Sequence, residues 1–287
     1  MTTLHTSTWG PQDGPPVLIV HGVQNIGARY RRLAQEGLPE ARVLAPDLRG
    51  HGASTWDPPW NAEQHVRDLL DTMDTHGVPR AAVVGHSFGG MLATHLAATA
   101  PERVSRVALL DPAVALPPAA AAANAETSRR DEGWATREEA REARRAQRPP
   151  HARDTVDEDL RTFLRRDPDG RYRFAFSRGA SVSAWGEMAR PPRPLAHYPG
   201  QVLLLTALRA QVVTPELRAH LTDQCGARFR ETGIDAGHML FWDAFETTVA
   251  VLRAFLGLDA PARGPRNADP HDGTIYDASA SPISPRA

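Results

Sequence analysis

The amino-acid sequence predicts an α/β fold, in which helices flank a mostly parallel sheet and a helical insert interrupts the pattern. Short apolar runs alternate with helix-like stretches along most of the 287 residues, and this alternation is typical of parallel sheets with right-handed crossovers. The runs also lack an alternation of polar and apolar residues, which indicates strands buried on both faces. The pattern stops over residues 113–199, which are charged and contain several prolines, and then resumes.

Each strand and helix of the core is predicted from a local feature of the chain. Apolar runs bounded by Gly, Pro or Asp predict strands, and helix-like stretches end near Gly or Pro. The predicted strands are Val17–Val20, Arg42–Pro46, Ala81–Val84, Val104–Leu110, Val202–Leu205 and Arg228–Ile234. The predicted helices are Ala28–Gly37, Asn61–His76, Phe88–Ala100, Pro215–Asp223 and Ala244–Leu256.

The interruption of the pattern divides the chain into three parts. Residues 1–112 and 200–258 are predicted to form the α/β core, and residues 113–199 a helical cap. In the cap, a Pro/Ala-rich stretch precedes a highly charged helix whose Arg and Glu residues lie three and four apart. The helices predicted there are Glu126–Arg148, Thr155–Arg166 and Ser177–Met188. Residues 259–287 are rich in Pro, Asp, Ser and Ala and poor in aliphatic residues, which predicts a disordered tail.

Composition excludes several classes of protein. The 33 basic residues nearly balance the 34 acidic ones, which argues against a dedicated nucleic-acid-binding protein. All basic residues are Arg, so no Lys nucleophile, Schiff base or phosphate-binding Lys is available. No apolar run approaches about 18 residues, so no membrane-spanning helix is expected, and residues 1–10 lack the order of a signal peptide. The single Cys225 rules out an internal disulfide and fits a cytoplasmic location.

The strongest chemical signal is the G-x-S-x-G pattern Gly85-His86-Ser87-Phe88-Gly89. It follows the predicted strand Ala81–Val84 and opens a predicted helix, which is the setting of a nucleophile elbow. In such an elbow a strained turn projects the serine Oγ above the sheet edge. The residues two positions before and after the serine must lack a Cβ, so that strand and helix can pass closely. The pattern therefore predicts Ser87 as the nucleophile.

Two further loops follow predicted strands and carry candidate partners of Ser87. His238 lies on the Gly-bearing loop after Arg228–Ile234, where an imidazole can reach a serine at the same sheet edge, and it is predicted to be the general base. The loop His21-Gly22-Val23 follows the first predicted strand. From position alone, the backbone N–H groups of Val23 and Phe88 are predicted to form an oxyanion hole.

Together these segments resemble the α/β-hydrolase superfamily over roughly Leu4–Leu256. The residues that carry the resemblance are His21-Gly22, Asp47-Leu48-Arg49-Gly50-His51-Gly52, Gly85-His86-Ser87-Phe88-Gly89-Gly90 and Gly237-His238. The resemblance implies an α/β-hydrolase fold with residues 113–199 in the position of the cap domain, and it makes residues 47–52 a structural loop without a catalytic role. A serine at the elbow is unlike haloalkane dehalogenases and epoxide hydrolases, in which an elbow aspartate attacks.

One residue departs from the pattern of that superfamily. Its usual acid follows the strand predicted at Val202–Leu205, but Arg209 occupies that position here, and a guanidinium would repel an imidazolium. Asp111 follows the preceding strand, where some superfamily members carry their acid, and it keeps the chain order Ser, Asp, His. Asp111 is therefore predicted to be the triad acid. Asp235 is the second choice, and the remaining alternatives are another acid of the chain or no acid at all.

The sequence thus predicts a serine hydrolase that cleaves an ester-like bond of a small to medium, partly apolar molecule through Ser87, His238, Asp111 and an acyl-enzyme. No ligand cluster with metal spacing occurs, so neither a metal nor an organic cofactor is expected. The expected partner is a small-molecule substrate, not a nucleic acid or a membrane. Two alternatives remain open: a ligand-binding protein on the same fold with little turnover, and a cofactor-free haloperoxidase or carbon–carbon bond hydrolase.

Overall fold

A seven-stranded sheet forms the centre of the computed structural model, which describes residues 4–130, 133–146 and 155–259. The strands in chain order are β1 (Thr6–Trp9), β2 (Pro16–Val20), β3 (Arg42–Pro46), β4 (Ala81–His86), β5 (Val104–Leu110), β6 (Leu164–Arg166), β7 (Tyr172–Phe174), β8 (Gln201–Ala207) and β9 (Phe229–Ile234). The sheet has the order β1-β3-β2-β4-β5-β8-β9, and β6 and β7 form a separate antiparallel hairpin. Only β1 runs antiparallel to its neighbour in the sheet, so the predicted mostly parallel sheet is confirmed.

Both faces of the sheet are buried, which explains why its strands show no polar–apolar alternation. In β2, Leu18 and Val20 belong to one buried cluster, and Val17 and Ile19 belong to another on the opposite face. The helices in chain order are α1 (Ala62–Thr75), α2 (Phe88–Thr99), α3 (Pro118–Arg129), α4 (Arg137–Ala146), α5 (Thr155–Thr162), α6 (Arg178–Met188), α7 (Pro215–Cys225), α8 (Leu240–Asp243) and α9 (Phe245–Leu256). Helices α1, α2 and α7 pack in the first cluster, and α9 packs in the second.

Side-chain caps define where several of these helices begin. Asn61 accepts a hydrogen bond from the Gln64 amide (3.0 Å) at the start of α1, and Thr214 accepts one from the Leu217 amide (3.1 Å) at the start of α7. These caps supply acceptors to amides that have no intrahelical partner. The positions agree to within a residue with the starts predicted from the sequence.

Two elements at the start of the chain differ from the prediction. Strand β1 was not predicted, because its four residues are mostly polar and only partly buried. The helix predicted at Ala28–Gly37 is instead a 3-10 turn (Gly27–Tyr30) followed by a π-helical turn (Leu33–Gly37). The Gly27 amide donates to Asp47 Oδ1 (2.8 Å), which ties the beginning of this segment to the loop after β3.

Residues 113–199, called the insert below, connect β5 to β8. The insert contains α3 to α6 and the β6–β7 hairpin. Helix α3 packs against α6, and α6 joins the core through Ala184 and Met188. The insert residues Ala140, Val156, Leu160, Phe163, Leu164 and Phe174 form a third buried cluster together with Ile26 of the core. The insert is therefore packed on the core at two places.

The helix predicted at Glu126–Arg148 is wrong in its bounds. Helix α3 begins eight residues earlier, inside the Pro/Ala-rich stretch, and it ends at Arg129, whereas α4 begins only at Arg137. Between the two helices Gly133 has a φ of 69°. Trp134 exchanges two backbone hydrogen bonds with Tyr172 (2.9 and 2.7 Å), and this pairing replaces helical hydrogen bonds.

The helix predicted at Thr155–Arg166 ends at Thr162, because Leu164–Arg166 pair with Tyr172–Phe174 as a hairpin. The helix predicted at Ser177–Met188 is confirmed, with Ser177 as its cap. Residues 260–287 of the predicted tail lie outside the described residues, as do residues 131–132 and 147–154. Across the described part of the chain, no helix combines the length and the apolar character needed to cross a lipid bilayer.

Candidate active site

Ser87 occupies a sharp turn between β4 and α2. Its φ of 55° and ψ of −120° form a conformation that residues with a side chain rarely adopt. A Cβ on Gly85 would lie 2.3 Å from the Gly89 carbonyl oxygen, and a Cβ on Gly89 would lie 2.0 Å from the Val20 carbonyl oxygen, so both positions require glycine. The Ser87 amide donates to the Leu110 carbonyl (3.1 Å), which fixes the turn against the end of β5.

Asp111 follows β5 and is fully buried. Its Oδ2 lies 2.7 Å from His238 Nδ1, and its Oδ1 accepts a hydrogen bond from the Ala207 amide (3.0 Å). The Asp111 amide in turn donates to the Leu205 carbonyl (2.8 Å) at the end of β8. The structure thus brings together the residues predicted as acid and base. Because an ionised carboxylate only accepts hydrogen bonds, the contact puts the proton on Nδ1 and leaves Nε2 as the basic nitrogen.

The other acid considered from the sequence lies on the outer side of the histidine loop. The side chain of Asp235 is 79% exposed, and its Oδ1 lies 3.1 Å from Arg209 Nη1. The second Arg209 nitrogen lies 3.9 Å from Asp243 Oδ2, which also accepts a hydrogen bond from the Gly237 amide (2.7 Å). The guanidinium that replaces the usual acid therefore joins two carboxylates around the loop of residues 235–239.

A second histidine supports His238. His86 Nε2 donates to the His238 carbonyl (2.9 Å), and the two ring centres are 4.6 Å apart. Burial, followed by the proximity of His238, lowers the pKa of His86 to about 3, so this imidazole is neutral near pH 7. Phe241 packs edge-on against it, with ring centres 5.5 Å apart. The sequence analysis missed this role, since the second residue of G-x-S-x-G is free to vary in the pattern.

Ser87 and His238 line one cavity of about 300 Å³. The loop after β2, the turn at Ser87, the histidine loop and two helices of the insert all contribute to its wall. Its lining residues are Gly22, Val23, Gln24, Asn25, Arg29, His86, Ser87, Arg144, Trp185, His238, Met239 and Trp242. Of the two predicted oxyanion donors, Val23 is in this lining. Phe88 is the first residue of α2, so its N–H group is one of four that lack an intrahelical partner.

Two buried histidines hold the loop after β2. His21 Nδ1 donates to the Gly22 carbonyl (2.7 Å), and its Nε2 accepts from the Leu48 amide (2.8 Å). His51 Nε2 accepts from the amide of Gln24 (3.2 Å), whose φ is 57°. Burial lowers the pKa of His21 well below 6.5 and that of His51 to about 4. Both rings therefore stay neutral near pH 7 and keep the lone pairs that accept these hydrogen bonds.

A second cavity, of about 530 Å³, adjoins the first and shares Gln24, Arg144 and Trp185 with it. At this border, side chains from the loop after β2, from α3 and from α6 are hydrogen-bonded to one another. Ser128 Oγ, on α3, accepts hydrogen bonds from Gln24 Nε2 and from Trp185 Nε1, both at 2.9 Å. Ser128 is only 4% exposed. The sequence analysis missed this group, since Gln24 and Ser128 are 104 residues apart and neither belongs to a motif.

The cavity is therefore lined by a serine in a strained turn and by an imidazole in contact with a buried carboxylate. This arrangement is suited to acyl transfer. Among residues 4–130, 133–146 and 155–259, no three His, Cys, Asp or Glu side chains are grouped so that they could hold a metal ion.

The chain is similar to known hydrolases along most of its length. Residues 15–245 match a family model described as the alpha/beta hydrolase fold. The chain is 38% identical over 265 residues to the lipase LipV of Mycobacterium tuberculosis, a match that covers 88% of this chain and 98% of the lipase. It is 32% identical over 100 residues to the esterase YbfF of Escherichia coli, which covers 33% of this chain and 38% of the esterase.

Among solved structures, the chain resembles that of E-2-(acetamidomethylene)succinate hydrolase. The TM-score is 0.76, and the match covers 88% of this chain and 95% of the other. Only 20% of the aligned residues are identical. This likeness therefore shows a shared fold and nothing about the substrate.

Proposed function

Since the chain belongs to the alpha/beta hydrolase fold family and is a hydrolase of the esterase or lipase type, we propose that it cleaves an ester-like bond through Ser87, His238 and Asp111. The proposed substrate is a small to medium, partly apolar molecule. The observation that carries the proposal is the 2.7 Å contact between Asp111 and His238, because His238 lines the same cavity as Ser87, which lies in a strained turn.

In the proposed reaction, Ser87 Oγ attacks the carbonyl carbon while His238 Nε2 takes its proton. The resulting imidazolium gives that proton to the departing alcohol, and the acyl group stays on Ser87. A water molecule, deprotonated by the same nitrogen, then attacks the acyl-enzyme and releases the acid. Asp111 keeps Nδ1 protonated and stabilises the imidazolium in both steps.

The amides of Val23 and Phe88 are the proposed oxyanion donors. Val23, on the loop after β2, lines the same cavity as Ser87, and Phe88 follows Ser87 as the first residue of α2. A helix N-terminus favours negative charge, because its first amides are unpaired and its dipole is positive there. The oxyanion of the tetrahedral intermediate would therefore be stabilised without any reorganisation of the chain.

The insert is proposed to act as a cap that sets substrate specificity. Helix α4 contributes Arg144 and α6 contributes Trp185 to the wall of the cavity at Ser87. A cytoplasmic location is also proposed, on the basis of the single cysteine. This residue, Cys225, is buried, and burial raises the pKa of its thiol.

A ligand-binding protein with little turnover is the competing proposal that Arg209 raised. The contact between Asp111 and His238 argues against this competing proposal, because His238 has an acid partner although Arg209 occupies the usual position of the acid. A haloperoxidase or carbon–carbon bond hydrolase would use much the same residues, and would differ from an esterase in its substrate.

Labelling with a fluorophosphonate probe, combined with turnover of p-nitrophenyl butyrate, tests the proposal. The wild-type protein should be labelled and should hydrolyse the ester, and Ser87→Ala should lose both properties. The matched control is Ser183→Ala, since Ser183 lies on α6, donates a hydrogen bond to the Trp60 carbonyl and lines neither cavity. Labelling without ester turnover would favour the carbon–carbon alternative, and equal labelling of Ser87→Ala would remove Ser87 from the mechanism.

A further inference from the structure

The hydroxyl of Ser128 accepts hydrogen bonds with both of its lone pairs. One comes from Gln24 Nε2 and the other from Trp185 Nε1, each 2.9 Å long. An amide NH₂ group and an indole N–H can only donate, and a hydroxyl has two lone pairs and one proton. The proton of Ser128 is therefore the part of this hydroxyl that remains available to a further partner.

This proton is donated to no acceptor in the described part of the chain. The preceding residue of α3 differs, since Thr127 Oγ1 donates to the Ala123 carbonyl (3.0 Å) one turn back along the helix. Ser128 is buried, and a buried donor without an acceptor is unfavourable. Because Ser128 lines the second cavity, a molecule bound there can supply the acceptor.

The carboxamide of Gln24 contributes an acceptor at the same place. Its Nε2 donates to Ser128, whereas its Oε1 accepts no hydrogen bond from the described residues. Gln24 lines both cavities. Because Oε1 belongs to the same carboxamide as Nε2, it lies at most about 5 Å from Ser128 Oγ, a span that one oxygen atom bridges with two hydrogen bonds. The border between the cavities thus offers one donor and one acceptor to a single group.

A neutral hydroxyl matches this pair of groups. Its oxygen can accept a hydrogen bond from Ser128 Oγ while its proton is donated to Gln24 Oε1. An ether or ketone oxygen would only accept, an ammonium group would only donate, and a carboxylate oxygen would be repelled by Oε1. A methyl group would leave both polar atoms without a partner, which is unfavourable.

One side of the second cavity is aromatic and suits an apolar chain. The cavity has a volume of about 530 Å³, and the aromatic residues in its lining are Trp134, Phe174, Phe176 and Trp185. The cavity of about 300 Å³ at Ser87 shares Gln24 and Trp185 with it, so an acyl chain on Ser87 can extend past these residues. Aromatic walls stabilise such a chain by burying its apolar carbon atoms. The lining therefore fits a mainly apolar acyl chain that carries a hydroxyl.

We propose that the substrate is an ester of a hydroxylated acyl group, whose hydroxyl binds between Ser128 Oγ and Gln24 Oε1. This inference rests on the proposed esterase function. The substrate hydroxyl takes no part in the reaction. Hydrolysis adds one water molecule and breaks the acyl C–O bond, so the products are the hydroxy acid and the alcohol. Ser128 and Gln24 determine specificity for the acyl arm, which stays on Ser87 through both steps.

The test compares p-nitrophenyl esters of 6-hydroxyhexanoic, 8-hydroxyoctanoic and 10-hydroxydecanoic acid with those of heptanoic, nonanoic and undecanoic acid, in which a methyl group replaces each hydroxyl. Spontaneous cleavage is measured with Ser87→Ala and subtracted. The wild-type protein should prefer the hydroxylated ester at one or more of these lengths. There, Ser128→Ala should lower the ratio of the two kcat/KM values about 3- to 10-fold, the effect of one neutral hydrogen bond. The ratio cancels any effect of this variant on the oxyanion hole.

Methoxy esters of the same chain lengths separate the donor from the acceptor. A methoxy oxygen can accept from Ser128 but cannot donate to Gln24, so the wild-type protein should favour the hydroxy ester over the methoxy ester. Gln24→Met should remove this difference. Ser183→Ala is the control and should leave every ratio unaltered, since Ser183 lines neither cavity.

Three results would overturn the proposal. The first is a wild-type protein that prefers a hydroxyl at none of the lengths, and the second is an unaltered ratio in Ser128→Ala. The third is a hydroxy-to-methoxy ratio that stays the same in Gln24→Met.

Calorimetric titration with the free hydroxy acids and their methyl counterparts keeps this inference separate from the proposed reaction. If no ester is turned over, the esterase proposal fails. Tighter binding of a hydroxy acid than of its methyl counterpart, lost in Ser128→Ala and kept in Ser183→Ala, would still support the hydroxyl site. Equal binding of the two acids at every length would overturn it.

Discussion

The side-chain amide of Gln24 donates a hydrogen bond to Ser128 Oγ (2.9 Å), and this contact joins the loop after β2 to the insert. Gln24 follows Val23, one of the proposed oxyanion donors, and has a left-handed backbone with a φ of 57°. Its own amide donates to His51 (3.2 Å). The conformation of this loop is therefore held from two sides, by the buried imidazole of His51 and by the hydroxyl of Ser128.

Replacement of Ser128 by Ala should loosen the proposed oxyanion hole. We expect kcat to fall about 3- to 10-fold with little change in KM, because the neutral hydrogen bond that Gln24 donates to this hydroxyl is lost, together with the one from Trp185. The affinity for a trifluoromethyl ketone, which forms a tetrahedral adduct with the serine, should fall in parallel. Ser183→Ala is the control and should change neither quantity. A drop in thermal stability with unaltered kcat would show that Ser128 only packs α3 against α6.

Replacement of Asp111 by Asn should abolish most activity at neutral pH. The asparagine keeps the shape of the side chain but cannot stabilise an imidazolium, so kcat for p-nitrophenyl butyrate should fall roughly 10³–10⁴-fold. Asp235→Asn is the matched control, since the side chain of Asp235 is 79% exposed and pairs with Arg209. Near-normal turnover in Asp111→Asn, or a larger loss in Asp235→Asn, would contradict the assignment of Asp111.

The meeting of Asp111 and His238 could be predicted from the sequence because each residue follows a strand. Parallel strands end at one edge of the sheet, so the residues after β5 and β9 approach each other whatever lies between them in the chain. The contact of Gln24 with Ser128 had no such signal, since Ser128 lies on a helix of the insert and its position depends on how α3 packs against α6. The division of the charged helix at Gly133 was missed for a similar reason. The helical spacing of charged residues continues across the break between α3 and α4. The break is visible only in the structure, where Trp134 forms backbone hydrogen bonds with Tyr172.

Acid should unfold the protein steeply, because several of its buried histidines have a lowered pKa; His95 is one of them. Burial lowers the pKa of His51 to about 4 and that of His65 and His86 to about 3, and it lowers the pKa of His21 well below 6.5. Unfolded imidazoles have a pKa of about 6.5. Below that pH the unfolded chain binds more protons than the folded one, so the free energy of unfolding decreases as the pH falls. The expected slope is about 1.4 kcal/mol per pH unit for each of these histidines.

His65→Leu isolates one of these contributions. His65 packs edge-on against Phe88, with ring centres 5.5 Å apart, and lies at the buried face of α1. Urea unfolding of this variant between about pH 4 and 6 should show a slope smaller than that of the wild type by about 1.4 kcal/mol per pH unit, since this window lies below the unfolded pKa and above the folded pKa of about 3. Exposed His197→Gln serves as the control and should retain the wild-type slope. An unaltered slope in His65→Leu would mean that this imidazole is already protonated in the folded protein.

A variant in the wall of the cavity tests whether the insert selects the substrate. Removal of the whole insert is unsuitable, because Ala184 and Met188 of α6 belong to the same buried cluster as α1 and α2, and their loss would expose that core. Trp185 lies on the same helix, but it lines both cavities. Trp185→Ala should therefore enlarge the space beside Ser87, and the kcat/KM for a branched acyl ester relative to p-nitrophenyl acetate should rise about tenfold.

Trp185→Phe separates the size of this side chain from its hydrogen bond. It keeps an aromatic ring and the Gln24–Ser128 hydrogen bond but removes the Nε1 donor to Ser128, so it should lower kcat less than Ser128→Ala does and show only a small shift in acyl preference. Trp56→Ala is the control for aromatic truncation, since Trp56 packs under Arg165 and lines neither cavity. Equal acyl preferences in wild type and Trp185→Ala, measured on folded proteins, would mean that α6 packs on the core without contacting the substrate.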